Sequence, residues 1–261
     1  MSLVQMNFPK ISVITITYNA EAVLERTLRS VLTQSYPHTE YIIIDGCSKD
    51  RTIEIIKRNA HYIDFWLSEP DQGIYDAMNK GLAQATGDYI VFMNAGDTFY
   101  EDTTLEKIFI ENTQADIYYG EAQMIEPISL KPVGLRSEFT PHKLPEKLTW
   151  RAMSRGMVVC HQAIFVKRSI AEPFDLSYRF SSDIDWVIRM LKKAKKIENT
   201  HQIVATYLLG GLSAQKRKKS LSERYHILRK HFGFFLNLFN HFVILLRGVA
   251  LILKRRKKYW D

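Results

Sequence analysis

Four short apolar runs alternate with three helical periods between Ile11 and Asp97, and few folds accept that alternation. Ile11 to Thr17 (ISVITIT) is β-branched and apolar, the pattern of a buried strand, and Tyr18-Asn19 ends it. Val23, Leu24, Leu28, Val31 and Leu32 then fall on one face at three- and four-residue steps, until Pro37 closes the unit. Tyr41 to Ile44 reads as a second strand and stops at Asp45-Gly46. Ser48 is placed to cap a helix carrying Ile53, Ile56 and Lys57, and Phe65 to Leu67 reads as a short third strand. After Pro70-Asp71-Gln72-Gly73, a third helix turns Ile74, Met78, Leu82 and Ala85 inward, with Gly87 just past its end. Tyr89 to Met93 is the continuous apolar run of a strand covered on both faces, and Asn94-Ala95-Gly96-Asp97 breaks it. Four strands and three helices within about 85 residues predict an α/β chain with a parallel sheet and right-handed crossovers.

Three strand ends deliver polar residues to one rim: Thr17-Tyr18-Asn19, Asp45, and Asn94 to Asp97. Ligands of open α/β sheets sit outside the carboxyl ends of the strands, so these positions are the candidate site. A carboxylate directly after a strand can accept from a nucleobase or a ribose hydroxyl, and a second can hold a cation. Asp45 and Asp97 could equally be turn residues. Neither G-x-G-x-x-G nor a P-loop lysine motif follows the first strand, which argues for a nucleotide site without a Rossmann cofactor or a phosphate-cradling loop.

The second half is less regular. Asp116 to Gly120 and Gln123 to Ile125 read as strands, with Leu130 to Arg136 completing a hairpin, and Val158 to Val166 reads as a strand carrying His161 and Gln162. A helix opens at Ser182 with Asp183 and Asp185 in its first turn, and Ile203 to Leu209 is a last strand before Gly210-Gly211. The two cysteines, Cys47 and Cys160, are too few for a disulfide framework and lie in no metal-ligand spacing, which suits a reducing cytoplasm. No secretory signal is evident in Met1 to Lys10.

Charge is concentrated at the end of the chain. Residues 216–261 hold 13 Lys and Arg against 2 Asp and Glu, while residues 1–215 hold 23 against 26. The basic part also carries Phe232, Phe235, Phe239, Phe242, Leu246, Val249 and Leu253 at three- and four-residue steps, too apolar for a nucleic-acid arm. Asn237, Asn240, His241 and Arg247 interrupt what would otherwise be a membrane span. An interfacial helix is the cheaper solution, with KRKK at 216–219 and KRRKK at 254–258 meeting anionic headgroups. The alternative is a C-terminal helix packed on the body or on a second copy in a homodimer.

The segments ISVITITYN, YIIIDGCSKD, DQGIYDAMNKGLAQATGDYIVFMNAGD, CHQAIFVKR and FSSDIDWVIRM, taken in order over residues 10 to 215, resemble the family-two inverting glycosyltransferases of the GT-A fold. DQGIYDAMNKG with NAGD is similar to the branch that builds bacterial surface polysaccharides such as capsule, O-antigen and colanic acid. The resemblance implies a GT-A domain over 1–215, with a nucleotide half at 1–100, an acceptor half at 101–215, and a basic helical tail at 216–261. Thr17, Tyr18, Asn19, Asp45, Asp71, Gly73, Lys80, Asn94, Ala95 and Gly96 would then bind the nucleotide. Asp97 would ligate Mg²⁺ or Mn²⁺, although the family's D-x-D-D is here Asn94-Ala95-Gly96-Asp97 and keeps one carboxylate. Asp183 takes the position of the catalytic base, and His161 and Gln162 would contact donor or acceptor sugar.

The implied reaction moves a hexosyl or hexosaminyl group from a nucleotide-diphospho-sugar, UDP-linked, to a saccharide or lipid-linked saccharide. It would take place on the inner face of the cell membrane. Two rivals stand beside it. A nucleotidyltransferase shares the α/β layout but needs a glycine-rich basic loop that TYNAEA does not supply, and a non-catalytic sugar-nucleotide-binding scaffold would tolerate the eroded acidic motif.

Overall fold

The structure, a computed structural model, describes residues 8–110, 114–140, 142–211 and 216–257. Its first half follows the alternation in the sequence: β1 (Ile11–Thr17), α1 (Leu24–Leu32), β2 (Thr39–Asp45), α2 (Thr52–Arg58), β3 (Phe65–Ser68), α3 (Ile74–Gln84) and β4 (Tyr89–Phe92). β1 lies between β2 and β4, and β3 flanks β2, all parallel, so the carboxyl ends of these strands share one edge. β1 is buried at every position because helices cover both faces of the sheet.

Beyond β4 the sheet is mixed. β5 (Thr98–Phe99) and α4 (Thr104–Phe109) lead into β6 (Ile117–Ile125), β7 (Pro132–Leu135), α5 (Arg136–Phe139), β8 (Ile164–Lys167), α6 (Ser182–Lys193) and β9 (Ile197–Leu208). β8 runs antiparallel to both β4 and β6, while β9 runs parallel to β6. The strand order is β3-β2-β1-β4-β8-β6-β9-β5, with β7 pairing the last residues of β6 off this path. The expected strands at 116–120 and 123–125 are one strand, irregular near Gly120, whose β7 hairpin is as expected. Under the sheet, Phe174 stacks on Trp186 of α6 at 4.9 Å, and Trp186 Nε1 donates to the Glu172 carbonyl at 2.6 Å. That aromatic cluster fixes the start of α6 relative to β4, since Phe92 packs edge-on against both rings.

The single tail helix expected over 216–261 is two helices, α7 (Arg217–Phe232) and α8 (Phe234–Lys257), separated at Gly233. Gly233 sits at φ +80, a left-handed conformation that suits glycine and stops α7. α7 is docked on the body, the arrangement given above as the alternative to an interfacial helix. Ser220, Ile227 and Leu228 are buried, Glu223 accepts from the Arg179 and Phe180 amides, and Phe232 stacks on Trp150.

Asp185, read above only as a first-turn acid, is fully buried and is the main polar anchor of that docking. It accepts from Arg189 Nε at 2.7 Å, His231 Nε2 at 2.8 Å and Lys230 Nζ at 3.1 Å.

α8 is inverted relative to an ordinary surface helix. Asn237 and Asn240 are buried against the body, while Phe235, Leu238, Phe239, Phe242 and Leu246 are exposed. Asn237 Nδ2 donates to the Tyr225 carbonyl, and Asn240 Oδ1 accepts from Arg155 Nε at 3.2 Å. Asn237 and Asn240, two of the residues that interrupt the apolar run, thus face protein. Among the described residues no helix is long and apolar enough to cross a membrane.

Candidate functional site

A cleft of about 1120 Å³ opens over the carboxyl ends of β1, β2 and β4. Thr17, Tyr18 and Asn19 form one wall, and Tyr18 is 63% exposed at the rim. The backbone there is bent sharply, with Asn19 at φ 46 and Cys47 at φ 64. Two hydrogen bonds stitch the two strand ends together: the Asn19 amide donates to Ser48 Oγ at 2.8 Å, and the Lys49 amide donates to Asn19 Oδ1 at 2.8 Å. Ser48 therefore does not cap α2, as its spacing suggested; Arg51 occupies that position and makes no side-chain cap.

Asp45 is fully buried behind this wall and does not line the cleft. Its carboxylate accepts from the Ser48 amide at 2.9 Å, from Ser48 Oγ and from Ser68 Oγ at 2.7 Å, so in this structure it acts by holding Ser48. Gly46, next to it, is on the wall because Asp71 approaches closely: a Cβ at 46 would lie 2.5 Å from Asp71 Oδ2. Asp71 and Gly73 line the cleft as expected, whereas Lys80 is directed away from it. Lys80 Nζ donates to the Pro70 carbonyl at 2.9 Å and pairs with Glu69 at 2.8 Å, bracing the turn that carries Asp71.

Asn94, Ala95 and Asp97 reach the cleft from the end of β4, and Gly96 does not. Gly96 adopts φ +97, where a Cβ would press to 2.7 Å from Leu208, so glycine is what lets the chain swing Asp97 beneath the cleft. Thr27 Oγ1 pins the turn, accepting from the Gly96 amide and donating to the Asp97 carbonyl. Asp97 is 7% exposed. Its oxygens accept from Gln162 Nε2 at 2.6 Å and from the Leu208 amide at 3.2 Å. Burial pushes the Asp97 carboxyl up to about 7, against the opposing pull of these two donors and of Arg26.

His161 and Gln162 lie in the cleft, but not on the expected strand over 158–166. Residues His161–Ala163 form a 3₁₀ turn and β8 begins at Ile164, because His161 and Gln162 spend their hydrogen bonds on Asn94 and Asp97. Asp183 enters from the first turn of α6. Tyr75 Oη donates to Asp183 Oδ1 at 2.9 Å, and His161 Nδ1 stands 3.6 Å from Asp183 Oδ2. Burial lowers the His161 pKa, opposed by Asp183 and aided by Arg136, which favours the neutral ring. A neutral ring accepting from Asn94 Nδ2 (3.2 Å) at Nε2 carries its proton on Nδ1, facing Asp183.

Among the cleft residues that were not foreseen are Tyr75, Arg136, Arg179 and Arg224. Arg224 comes from α7, and its Nε is buried with no hydrogen-bond partner in the structure. The signal was present as a face, since Ser220, Arg224, Ile227 and Leu228 recur at helical spacing. Arg136 is held by the Met157 and Val158 carbonyls. Gly210 and Gly211 also line the cleft, while Leu212 and Ser213 lie outside the described residues.

Among the described residues no group of three or more His, Cys, Asp or Glu is placed to hold a metal ion. The cleft does offer the Asp97 carboxylate and the buried, unpartnered Asn94 Oδ1. Both are hard oxygen donors suited to Mg²⁺ or Mn²⁺, with the remaining positions left to substrate and water.

Residues 12–173 match a family model described as glycosyl transferase family 2. The PGL/p-HBAD biosynthesis glycosyltransferase of Mycobacterium bovis BCG is 33% identical over 221 residues, covering 80% of this chain and 80% of its own. The putative teichuronic acid biosynthesis glycosyltransferase TuaG of Bacillus subtilis is 28% identical over 230 residues, covering 85% and 88%. Among solved structures, S. aureus TarS 1-349 in complex with UDP superposes with TM-score 0.64 at 17% identity, covering 84% of this chain and 64% of that one. The mannosyltransferase PcManGT from Pyrobaculum calidifontis, in complex with GDP-Man and Mn²⁺, gives 0.63 at 16% identity, covering 96% and 76%. At those identities the solved structures speak to the fold, and the sequence relatives to the family. The chain belongs to glycosyl transferase family 2 and is a glycosyltransferase of the GT-A fold that works in glycan biosynthesis.

Proposed function

We propose that the cleft binds a nucleotide-diphospho-sugar, UDP-linked, and that the chain transfers its sugar with inversion to a hydroxyl of a saccharide or lipid-linked saccharide. The observation that carries this reading is the convergence of Asp97, from the end of β4, and Asp183, from the start of α6, on one cleft. The nucleoside lies along Thr17 to Asn19, with Tyr18 offering an aromatic face at the rim and Asp71 a carboxylate opposite. Arg136, Arg179 and Arg224 line the cleft and supply positive charge for the diphosphate, with Arg136 held in place by the Met157 and Val158 carbonyls.

Asp183 takes the proton from the acceptor hydroxyl as that oxygen attacks the anomeric carbon from the side opposite the leaving diphosphate. Tyr75 holds the carboxylate through Oδ1, and the Nδ1–H of His161 faces Oδ2, so the base is oriented before substrate arrives. A Mg²⁺ or Mn²⁺ held by Asp97 and Asn94 would add charge neutralisation at the departing diphosphate. A thermal-shift screen of nucleotide-diphospho-sugars, with and without Mn²⁺, tests the donor reading. A selective rise with UDP-sugars supports it, and no rise with any nucleotide sugar defeats it.

The same reading places the enzyme on the inner face of the cell membrane through α8. Its exposed Phe and Leu side chains each gain roughly 1.5–3 kcal/mol when taken out of water, and Lys216 to Lys219 are exposed where anionic headgroups could meet them. Flotation with anionic liposomes tests this. A protein that stays entirely in the soluble fraction contradicts it.

A further inference from the structure

A second cavity, of about 510 Å³, lies beside the donor cleft, and its walls are basic. His142, Lys143, Arg151 and Arg155 line it together with Ser154, and no carboxylate is among its lining residues. Two guanidinium groups, an ammonium, an imidazole and a hydroxyl in one concavity form the donor set that a phosphate group requires. The cations are held in place: Arg151 stacks on the Trp150 ring at 4.7 Å, and Arg155 Nε is fixed by Asn240 Oδ1 at 3.2 Å.

A thin partition separates the two cavities. Val158 lines the basic one while its neighbours Met157 and Val159 line the donor cleft, so this single stretch of chain borders both. Gly156 opens that partition at φ +120, and a Cβ there would come within 3.1 Å of His142 Nε2. The opposite wall leads to α8 through the Arg155–Asn240 bond, and α8 turns Phe235, Phe239 and Phe242 outward. An anion seated here is therefore flanked by an apolar surface on one side and the sugar-transfer cleft on the other.

We propose that this cavity binds the phosphate or diphosphate group of the acceptor, and that the acceptor is an amphiphile whose chain leaves along α8. The inference rests on the donor cleft assigned above. It makes the basic cavity a second, separate anion site that orients the acceptor hydroxyl toward Asp183.

The test uses the full-length protein saturated with UDP. The probes are inorganic pyrophosphate, and phosphatidylcholine vesicles bearing either a prenyl diphosphate or phosphatidylglycerol at equal charge. Prenyl-diphosphate vesicles should bind at least about tenfold more tightly than the phosphatidylglycerol vesicles. Lys143→Gln with Arg151→Gln should remove that preference while UDP affinity and melting temperature stay unchanged. Lys143→Glu alone provides the same reading should the double variant fold poorly.

Pyrophosphate binding that is lost in the variants but unaccompanied by any vesicle preference supports the anion site and overturns the amphiphilic acceptor in favour of a soluble phosphorylated one. Wild-type and variant proteins that bind every probe alike, or pyrophosphate binding abolished by UDP, overturn the proposal. Failure of UDP itself to bind, with pyrophosphate binding still dependent on Lys143 and Arg151, would remove the donor reading and leave this cavity standing.

Discussion

Replacing Asp185 with Asn should loosen α7 from the body and, with it, the cationic side of the cleft. The carboxylate is fully buried and takes bonds from Arg189, His231 and Lys230 at 2.7, 2.8 and 3.1 Å. Breaking one partner out of a buried ionic cluster costs about 3–5 kcal/mol. Arg189 keeps Glu172 at 2.6 Å and Lys230 keeps Asp175 at 3.4 Å, so the lower figure, about 3 kcal/mol, is the expected loss. With a urea dependence of about 1–3 kcal/mol per molar, the unfolding midpoint should fall by roughly 1–3 M.

The effect also has a pH signature. Burial would raise the Asp185 carboxyl, but bonds from His231, Arg189 and Lys230 outweigh it and hold the group below the ordinary carboxylate range. A depressed carboxylate stabilises the fold above its unfolded value, near 4, and loses that contribution as pH falls through it toward the folded value. The gap between wild type and variant should therefore be full at pH 7 and shrink below about pH 4. Urea titrations followed by tryptophan fluorescence at several pH values measure both quantities. Equal midpoints at pH 7, or a gap that does not change on acidification, would refute the role given to Asp185.

Arg224→Gln removes one half-buried cation from the cleft, and the donor Kd should rise by about tenfold with little change in melting temperature, as read by UDP titration. Glu40→Gln should flatten acid unfolding: burial raises the Glu40 carboxyl, yet bonds from Ser12, Thr86 and Lys10 hold it at about 2. Its contribution of roughly 3 kcal/mol is present above pH 4.5 and drains away as pH falls toward 2, so circular dichroism across that window should separate the two proteins. Phe235→Glu with Phe239→Glu changes two exposed side chains and should abolish liposome flotation without lowering stability.

The parallel half of the fold was legible because ISVITIT, YIII and YIVFM are β-branched or aromatic runs between clean helical periods, and each strand ends on polar residues that the topology brings to one edge. Asp97 stood out one step beyond an apolar strand and Asp183 through the family resemblance at the start of a helix, and the structure brings both to one cleft. His161 and Gln162 line the cleft from a different element than the expected strand, since nothing local tells a strand residue from one held in a 3₁₀ turn by contacts to Asn94 and Asp97. The part played by α7 was hidden by its Lys and Arg, which blur the inward face carrying Ser220, Arg224 and Ile227. Lys80 shows the converse. The resemblance put it beside the nucleotide, and Glu69 and the Pro70 carbonyl, which precede its helix in sequence but lie near in space, hold it instead.

The most direct measurement of the central claim is donor turnover by Asp183→Asn, set beside its donor affinity. Asn keeps the shape and can still contact Tyr75, so donor affinity should remain within about twofold of wild type. Turnover should drop by about a thousandfold, the scale of a lost general base. Turnover near the wild-type level, or a loss explained entirely by failure to bind the donor, would contradict the assignment of Asp183 as the base.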